Sequence, residues 1–419
     1  MDADVVVCGA GVGGLAAACA LSTRGFRVLL LEKQAGPTRV AKGEVLQPGA
    51  LRVLRDWNVA QRLELRGGLR LARLVARDSG GAPLMALDYE RLRDEERWLL
   101  AHDYPVILDA LADRLDGSVE FRRGVLVRDL LRDAAGRVDG VRISEGGQER
   151  DVRAKLVVAA DGLSSRLRKA AGIAVHRDEY PHRLAAFDIA DAPPVEQDFS
   201  AYVSEFGLRL RYPLPGGRVR LYVQVRPDEL RGLDEDGMAR WIDRLVGGTP
   251  ALHPLADALR ASAANRQVLP VSRFLAPSLG IPGLALVGET GHAVHPMAAQ
   301  GMNTSITDAE SLAGHLGSGE LTAASVDAGI RSYQAERLPK LVHIGQTSHN
   351  AARMITDLSW AGRVVGRRAL RFTGGNDRLR YTVMHNMAGL GQHQLSLLDR
   401  LHQVGVLPDP RARRLPAWA

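Results

Sequence analysis

Along this chain the period of apolar positions changes several times, and the changes divide it. Asp4 to Cys8 is a short apolar run that ends in the glycine-rich turn Gly9-Ala10-Gly11-Val12-Gly13-Gly14. A stretch of small residues follows as far as Gly25, and Arg27 to Leu31 is then a second apolar run closed by Glu32. Runs that are apolar at every position suit a parallel strand buried on both faces, and the stretch between two of them predicts the crossover helix of a βαβ unit. Lys155 to Ala160 and Leu284 to Val287 repeat the buried-strand pattern. Between them the period drops to two: Ala201-Tyr202-Val203, Leu208-Arg209-Leu210-Arg211-Tyr212 and Val219-Arg220-Leu221-Tyr222-Val223 predict antiparallel strands with one wet face.

Less regular segments fill the gaps. Leu84 to Tyr89 and Val119 to Asp129 read as strands, Val106 to Leu115 as a helix, and Ser164 to Ala171 as a short helix or turn. Helices are expected from about Leu321 onward. The tail from Pro408 to Ala419, with three prolines and three arginines, is expected to add little core.

The parallel-strand pattern thus leaves and returns, which predicts an interrupted domain. Its parts are read as residues 1–75, 98–180 and 269–340. Residues 76–97 form a short excursion, 181–268 an inserted sheet, 341–407 C-terminal helices and 408–419 a tail.

Composition narrows the setting. The 419 residues hold two cysteines, Cys8 and Cys19, too few for a disulfide framework or a thiolate metal cluster, and a reducing cytoplasm is the expected location. No run approaches the roughly 20 apolar residues that span a bilayer, so membrane contact would be peripheral. The 55 basic residues against 48 acidic ones include five lysines, so the net +7 is almost all arginine. These arginines are scattered among acids without aromatic interleaving, which argues against a nucleic-acid partner; anion recognition in a pocket fits the pattern, and a solvated arginine-rich surface fits it better. His102, His176, His182, His253, His292 and His295 show neither metal-ligand nor nucleophile-base spacing, and no metal site is expected.

The strongest chemical signal is the first turn. In such a fingerprint Gly9 permits the tight turn, Gly11 lets a diphosphate approach backbone amides, and Gly14 allows helix and strand to pack closely. The following helix start favours anions, and Glu32 stands where a carboxylate can hold ribose hydroxyls. Val12 and Gly13 complete the turn and Lys33 follows the acid. The fingerprint alone does not separate FAD from NAD.

Two further motifs do. Ala160-Asp161-Gly162 closes a buried strand, and Gly288-Glu289-Thr290-Gly291-His292 runs on to Pro296-Met297-Ala298-Ala299-Gln300-Gly301-Met302-Asn303. With the first turn they resemble the ordered signature of the p-hydroxybenzoate-hydroxylase-like, class A FAD-dependent aromatic hydroxylases over roughly the first 340 residues. The stretch Lys42-Gly43-Glu44-Val45-Leu46-Gln47-Pro48-Gly49 is also similar to the flavin-side loop of the squalene epoxidase branch.

The resemblance implies an α/β fold, a Rossmann-like FAD-binding domain interrupted by a mostly antiparallel β-sheet substrate domain and followed by C-terminal helices. It further implies FAD held by Gly9 to Gly14, Glu32, Lys33, Lys42, Asp161, Gly162, Gly288, Glu289, Pro296, Gly301, Met302 and Asn303. Glu289 departs from the family's usual aspartate, and Lys42 stands where many members carry arginine. The implied activity is monooxygenation of a phenol, quinone, quinoline or polyketide-like molecule through a flavin C4a-hydroperoxide, with O2 and NADPH or NADH as co-substrates and bacterial secondary metabolism as its context.

His292 and His295 are candidate proton-transfer residues. Phe187, Tyr202, Phe206, Arg209, Arg211, Tyr212, Tyr222 and Pro296 are candidate substrate contacts, divided between pocket and solvent by alternation. A separate reductase, a monomer or homodimer, epoxidation in place of hydroxylation, dehydrogenation without oxygen, and a noncatalytic nucleotide sensor remain open alternatives.

Overall fold

The computed structural model describes residues 3–36 and 43–419. Its first layer is a six-stranded sheet in the order Gly280–Ile281, Leu284–Leu286, Leu156–Ala159, Val5–Cys8, Val28–Glu32, Val119–Arg123, parallel throughout except for the first pair. Val5–Cys8 is central, with its neighbours reached by connections leaving in opposite directions, so Gly9 stands at a topological switch point. The helix Val12–Thr23 is buried from Gly13 to Ser22. A helix apolar all round must be covered on both sides. This one lies between the sheet and the helix Gln300–Leu316, and small side chains let the backbones approach.

The second layer is an eight-stranded sheet ordered His292–Ala293, Gln267–Leu275, Asp178–Ile189, Arg218–Val225, Gly207–Leu214, Phe199–Ser204, Arg73–Asp78, Pro83–Asp88. It is antiparallel except where Phe199–Ser204 runs beside Arg73–Asp78. The fold is therefore α/β, a Rossmann-like domain interrupted by a mostly antiparallel sheet and completed by C-terminal helices.

Four features differ from the sequence reading. First, the division points at 75, 180 and 268 fall inside strands, because Arg73–Asp78, Asp178–Ile189 and Gln267–Leu275 each run through one. Similarly, the helix Ala323–Thr356 passes 340 without interruption despite Pro339.

Second, the predicted wet face is absent over the central strands: every residue of Phe199–Ser204 and Gly207–Leu214 is buried. One face packs through Leu184, Phe199, Leu210 and Tyr212 toward Leu370, Met384 and Met387 of the C-terminal helices. The other packs through Phe187, Leu221 and Val223 onto Trp241, Ile242 and Leu245, with the Phe187 and Trp241 rings stacked at 5.8 Å.

Third, that cover is the helix Glu235–Gly247 within the insertion itself. Met238, Trp241, Ile242 and Leu245 are spaced as one helical face, a period-3.6 signal inside a region read as sheet.

Fourth, the tail is docked. Trp418 stacks on His393 with centroids 3.4 Å apart, Asp409 accepts from Arg378 and Asn376, and Arg93 donates to the Ala419 carbonyl at 2.6 Å.

Candidate active site

The three motifs meet at the carboxyl ends of the central strands. Gly9 has φ +104°, and a Cβ there would lie 2.4 Å from the Ala160 carbonyl oxygen; one on Gly14 would lie 1.7 Å from the Gly9 oxygen. Both glycines are demanded by the chain itself. Gly11 is not: a Cβ there would meet only the Tyr104 hydroxyl, at 3.7 Å, and one on Gly301 would meet nothing within 4 Å. Gly13 is intermediate, near Val287 and Ser305.

Gly11 N-caps the helix Val12–Thr23 without a side-chain cap, so its first amides face outward. An open approach to unpaired amides is the cradle a diphosphate requires, and the residues present fit a dinucleotide. Glu32 is already oriented, since Oε2 accepts from the Ala10 amide and Oε1 from the Gln34 amide, each at 2.8 Å. Lys33 is exposed beside it. Lys42 lies outside the described residues.

Asp161 and Gly162 tie the second motif to the third. Asp161 Oδ2 caps the short helix Arg166–Ala170 through the Arg166 amide at 2.8 Å, while the Gly162 amide donates to Thr290 Oγ1 at 3.1 Å. Gly288 turns at φ +65°, where a Cβ would collide with Ser305, and Glu289 is half-buried beside it. Pro296 is exposed at the start of the turn Pro296–Ala298, and Ala299 follows at φ +49°.

Helix Gln300–Leu316 then begins without a side-chain cap. Met302 is buried close to Gly43, and Asn303 spans the gap to the Glu44 loop, accepting from the Gln47 amide at 2.7 Å and donating to the Val45 carbonyl at 3.1 Å. The Glu44–Gly49 segment is also held from the far side, where the Gly49 amide donates to Ala388 O at 2.8 Å, and the helix start is tied to the same C-terminal segment by Gln300 Nε2 donating to Met387 O at 2.6 Å.

Neither candidate histidine is poised as a base. His292 is 2% exposed and bonds Asp308 through Nε2 at 2.7 Å; Arg337 holds the other Asp308 oxygen at 2.8 Å. Burial alone would raise the Asp308 carboxyl, but Arg337 and His292 outweigh it and keep Asp308 ionised below the usual range. His295 is 1% exposed, and its Nδ1 accepts from the Met297 amide, so a neutral ring carries its proton on Nε2 and donates it to His182 Nε2, 3.1 Å away. Burial, with His182 and His349 nearby, holds His295 down to about 3. Both rings serve as buried links between elements.

The sheet candidates separate by face. Tyr212 and Tyr222 point toward the Glu44 loop, whereas Phe187, Tyr202, Arg209 and Arg211 point to the opposite face. Those four therefore do not share the site; Phe206 is 58% exposed at the hairpin tip. Arg211 bonds Glu196 and Asp198, and Arg209 donates to the Phe206 carbonyl while burial pulls its guanidinium down to about 10.

On the loop side, Tyr212 donates to Glu44 Oε2 at 2.8 Å and Arg220 grips both Glu44 oxygens at 2.9 and 2.7 Å. Burial raises the Glu44 carboxyl even against Arg220, while Glu44 overrides burial to hold the Arg220 proton. Arg220 was not singled out from sequence; its signal is a cation in mid-strand, between Val219 and Leu221 of Arg218–Val225.

A cavity of about 590 Å³ completes the site. Its floor is Leu74, Ala76, Phe199 and Ala201 of the sheet, one end is Met297 and Met387 beside the Pro296–Gly301 turn, and its wall carries Gln346 and Asn350 of the helix Ala323–Thr356. Its lining is apolar along the sheet and carries polar groups such as His343, Asn386, His393 and Arg400 on the C-terminal side, which suits a small organic molecule with polar substituents. No group of three or more metal-ligating side chains occurs among the described residues.

Comparison with known proteins agrees with this geometry. Residues 2–347 match the FAD binding domain family. The chain is 30% identical over 313 residues to the 6-methylpretetramide 4-monooxygenase of Streptomyces rimosus, covering 73% of each chain. It is 27% identical over 321 residues to rat (Rattus norvegicus) squalene monooxygenase, covering 73% of this chain and 53% of that one. The crystal structure of P. aeruginosa PqsL in complex with 2-aminobenzoylacetate superposes with a TM-score of 0.74 at 26% identity, over 85% of this chain and 97% of that one. No helix of the described residues is long and apolar enough to cross a membrane. With its three motifs joined around one glycine cradle, the chain belongs to the class A FAD-dependent monooxygenases, the aromatic hydroxylase family.

Proposed function

We propose that the protein inserts one oxygen atom of O2 into an aromatic, polyketide-like small molecule, using FAD reduced by NADPH or NADH. The observation that carries this reading is the cavity of about 590 Å³, apolar along the sheet and ending at the Pro296–Gly301 turn, where Gly301 keeps open space. Bound FAD supplies the oxygen activation.

In this reading the Gly11 and Val12 amides hold the diphosphate and Glu32 the adenosine ribose. Asp161, Gly162 and Glu289 border the middle of the cofactor, and the uncapped start of Gln300–Leu316 offers amides to negative charge on its ring. Phe199 and Met297 position the substrate, Gln346 and Asn350 orient its polar groups, and the C-terminal helices exclude water. His292 and His295 receive no proton-transfer role. A cytoplasmic location belongs to the same reading, in keeping with the free, buried Cys8 and Cys19.

The test is oxygen uptake and nicotinamide oxidation by the FAD-loaded protein across a panel of phenols, quinones and polycyclic polyketides, with mass analysis after 18O2. Substrate-dependent uptake with one labelled oxygen in the product is expected. Nicotinamide oxidation without oxygen insertion across the panel would overturn the reading. Epoxidation is the second reading, favoured by the similarity to squalene monooxygenase; an epoxide or its diol among labelled products would select it.

A further inference from the structure

The C-terminal helices carry two surface properties that the oxygen chemistry does not use. Among the described residues, all the exposed large apolar side chains except Leu65 and Phe206 lie between Val342 and Trp418. From Arg353 to the last residue there are eleven arginines and four aspartates with no lysine or glutamate, a surplus equal to the whole chain's +7. The remainder of the molecule is therefore neutral overall. Three of those aspartates are taken up by Arg378 and Arg380 through Asp377, Asp399 and Asp409.

On the helix Trp360–Gly374 the two properties coincide. Gly366, Ala369, Leu370 and Thr373 are buried, and the outward stripe is Trp360 (75% exposed), Val364, Val365 and Phe372, with Arg367, Arg368 and Arg371 in the same sector. Leu397 and Leu398, exposed on the adjoining helix Leu397–Gln403, extend the apolar surface. The same two helices line one end of the cavity through Ala361, Val365, Arg400 and Gln403.

We propose that this face docks on an anionic lipid surface and admits a lipophilic substrate from the bilayer into the cavity. A helix with exposed aromatic and aliphatic side chains interleaved with arginines fits the headgroup boundary of an acidic membrane, where apolar burial and cation attraction add. A second copy of the chain fits poorly, because a two-fold contact would press the same arginines against one another. Delivery of substrate rests on the monooxygenase reading of the cavity; docking does not.

The test is co-sedimentation of the FAD-loaded protein with phosphatidylcholine vesicles, with and without phosphatidylglycerol. Binding to the anionic vesicles is expected, weakened by added salt. Arg367→Glu with Arg371→Glu, and separately Trp360→Ser with Leu397→Ser, are each expected to weaken it at least about tenfold while the melting temperature holds. Absence of binding, or equal binding by these variants, overturns the proposal. So does a stable homodimer in solution that Trp360→Ser with Leu397→Ser dissociates, or salt-sensitive capture of an acidic protein with no vesicle binding. The vesicle readout needs no turnover, so failure of docking and failure of the oxygen chemistry appear in different measurements.

Discussion

The two sheets build their ligand surfaces in opposite ways. In the parallel sheet both faces are buried and the binding surface is the row of strand ends at Gly9, Asp161 and Gly288. Position along the chain then decides what a residue does. In the antiparallel sheet the surface is a face, so Tyr212 and Arg211, adjacent in sequence, lie on opposite sides. One-residue parity decides there, and a motif search does not see it.

The largest effect that tests this contrast lies within the glycine turn. Gly14→Val would drive its side chain into the Gly9 carbonyl and is expected to leave little folded protein, a loss above about 3 kcal/mol. Gly11→Val has room inside the chain, and is expected to fold with an unchanged circular dichroism spectrum while FAD retention falls at least about a hundredfold. Similar behaviour of the two variants would show that the cradle is only a packing device.

Next in stability cost are two substitutions on the faces of the other sheet. Phe187→Ala removes a ring stacked on Trp241, and about 3–5 kcal/mol is expected to vanish from urea unfolding with KM unchanged. Glu44→Gln takes from buried Arg220 the nearer of its two carboxylates and leaves it Asp188 at 3.3 Å, so a smaller cost than Phe187→Ala is expected, with weaker FAD binding as well because Asn303 joins the Glu44 loop to the flavin-side helix. A KM shift in Phe187→Ala would reverse the assignment of faces.

The His182–His295 link predicts a pH dependence. His295 is held near 3 when folded against 6.5 when free, so below pH 6.5 the unfolded chain binds more protons. Its contribution is complete above about pH 6.5 and is lost as pH falls toward about 3, with a slope near 1.4 kcal/mol per pH unit for one proton. His182, also lowered by burial, adds in the same direction. Denaturation midpoints between pH 7 and 4 should follow this slope and flatten in His295→Gln.

Smallest is Glu289→Asp, which restores the family's usual side chain and is expected to keep FAD affinity within about threefold or improve it. A large loss in FAD titration would mean that this turn requires the longer acid.

What the sequence made legible follows the same division. The glycine turn, Glu32, Asp161-Gly162 and the Gly288–Asn303 run are contiguous motifs whose spacing survives folding, and the structure joins all of them. Phe187, Tyr202, Arg209 and Arg211 were candidates because alternation leaves both faces open, and the helix Glu235–Gly247, packed on Phe187, Leu221 and Val223, covers the face they occupy. Gln346 and Asn350 belong to no motif, and only the return of the C-terminal chain makes them a cavity wall. His292 and His295 stood close to a motif, but burial and hydrogen-bond partners, which spacing does not encode, decide their protonation.

The pairing of Leu74 with Phe199 and of Val157 with Leu284 has a kinetic consequence. Each closes a loop of more than a hundred residues, and loop closure must precede the contacts that reward it. During synthesis the strand Leu156–Ala159, once paired with Val5–Cys8, waits with an open edge until Leu284–Leu286 emerges, while the Phe199–Val225 meander can form from local contacts. The insertion that floors the cavity therefore also makes this a slow-folding chain of high contact order, and the segment from Asp178 to Leu275 made alone would lack the strands that flank it on both sides.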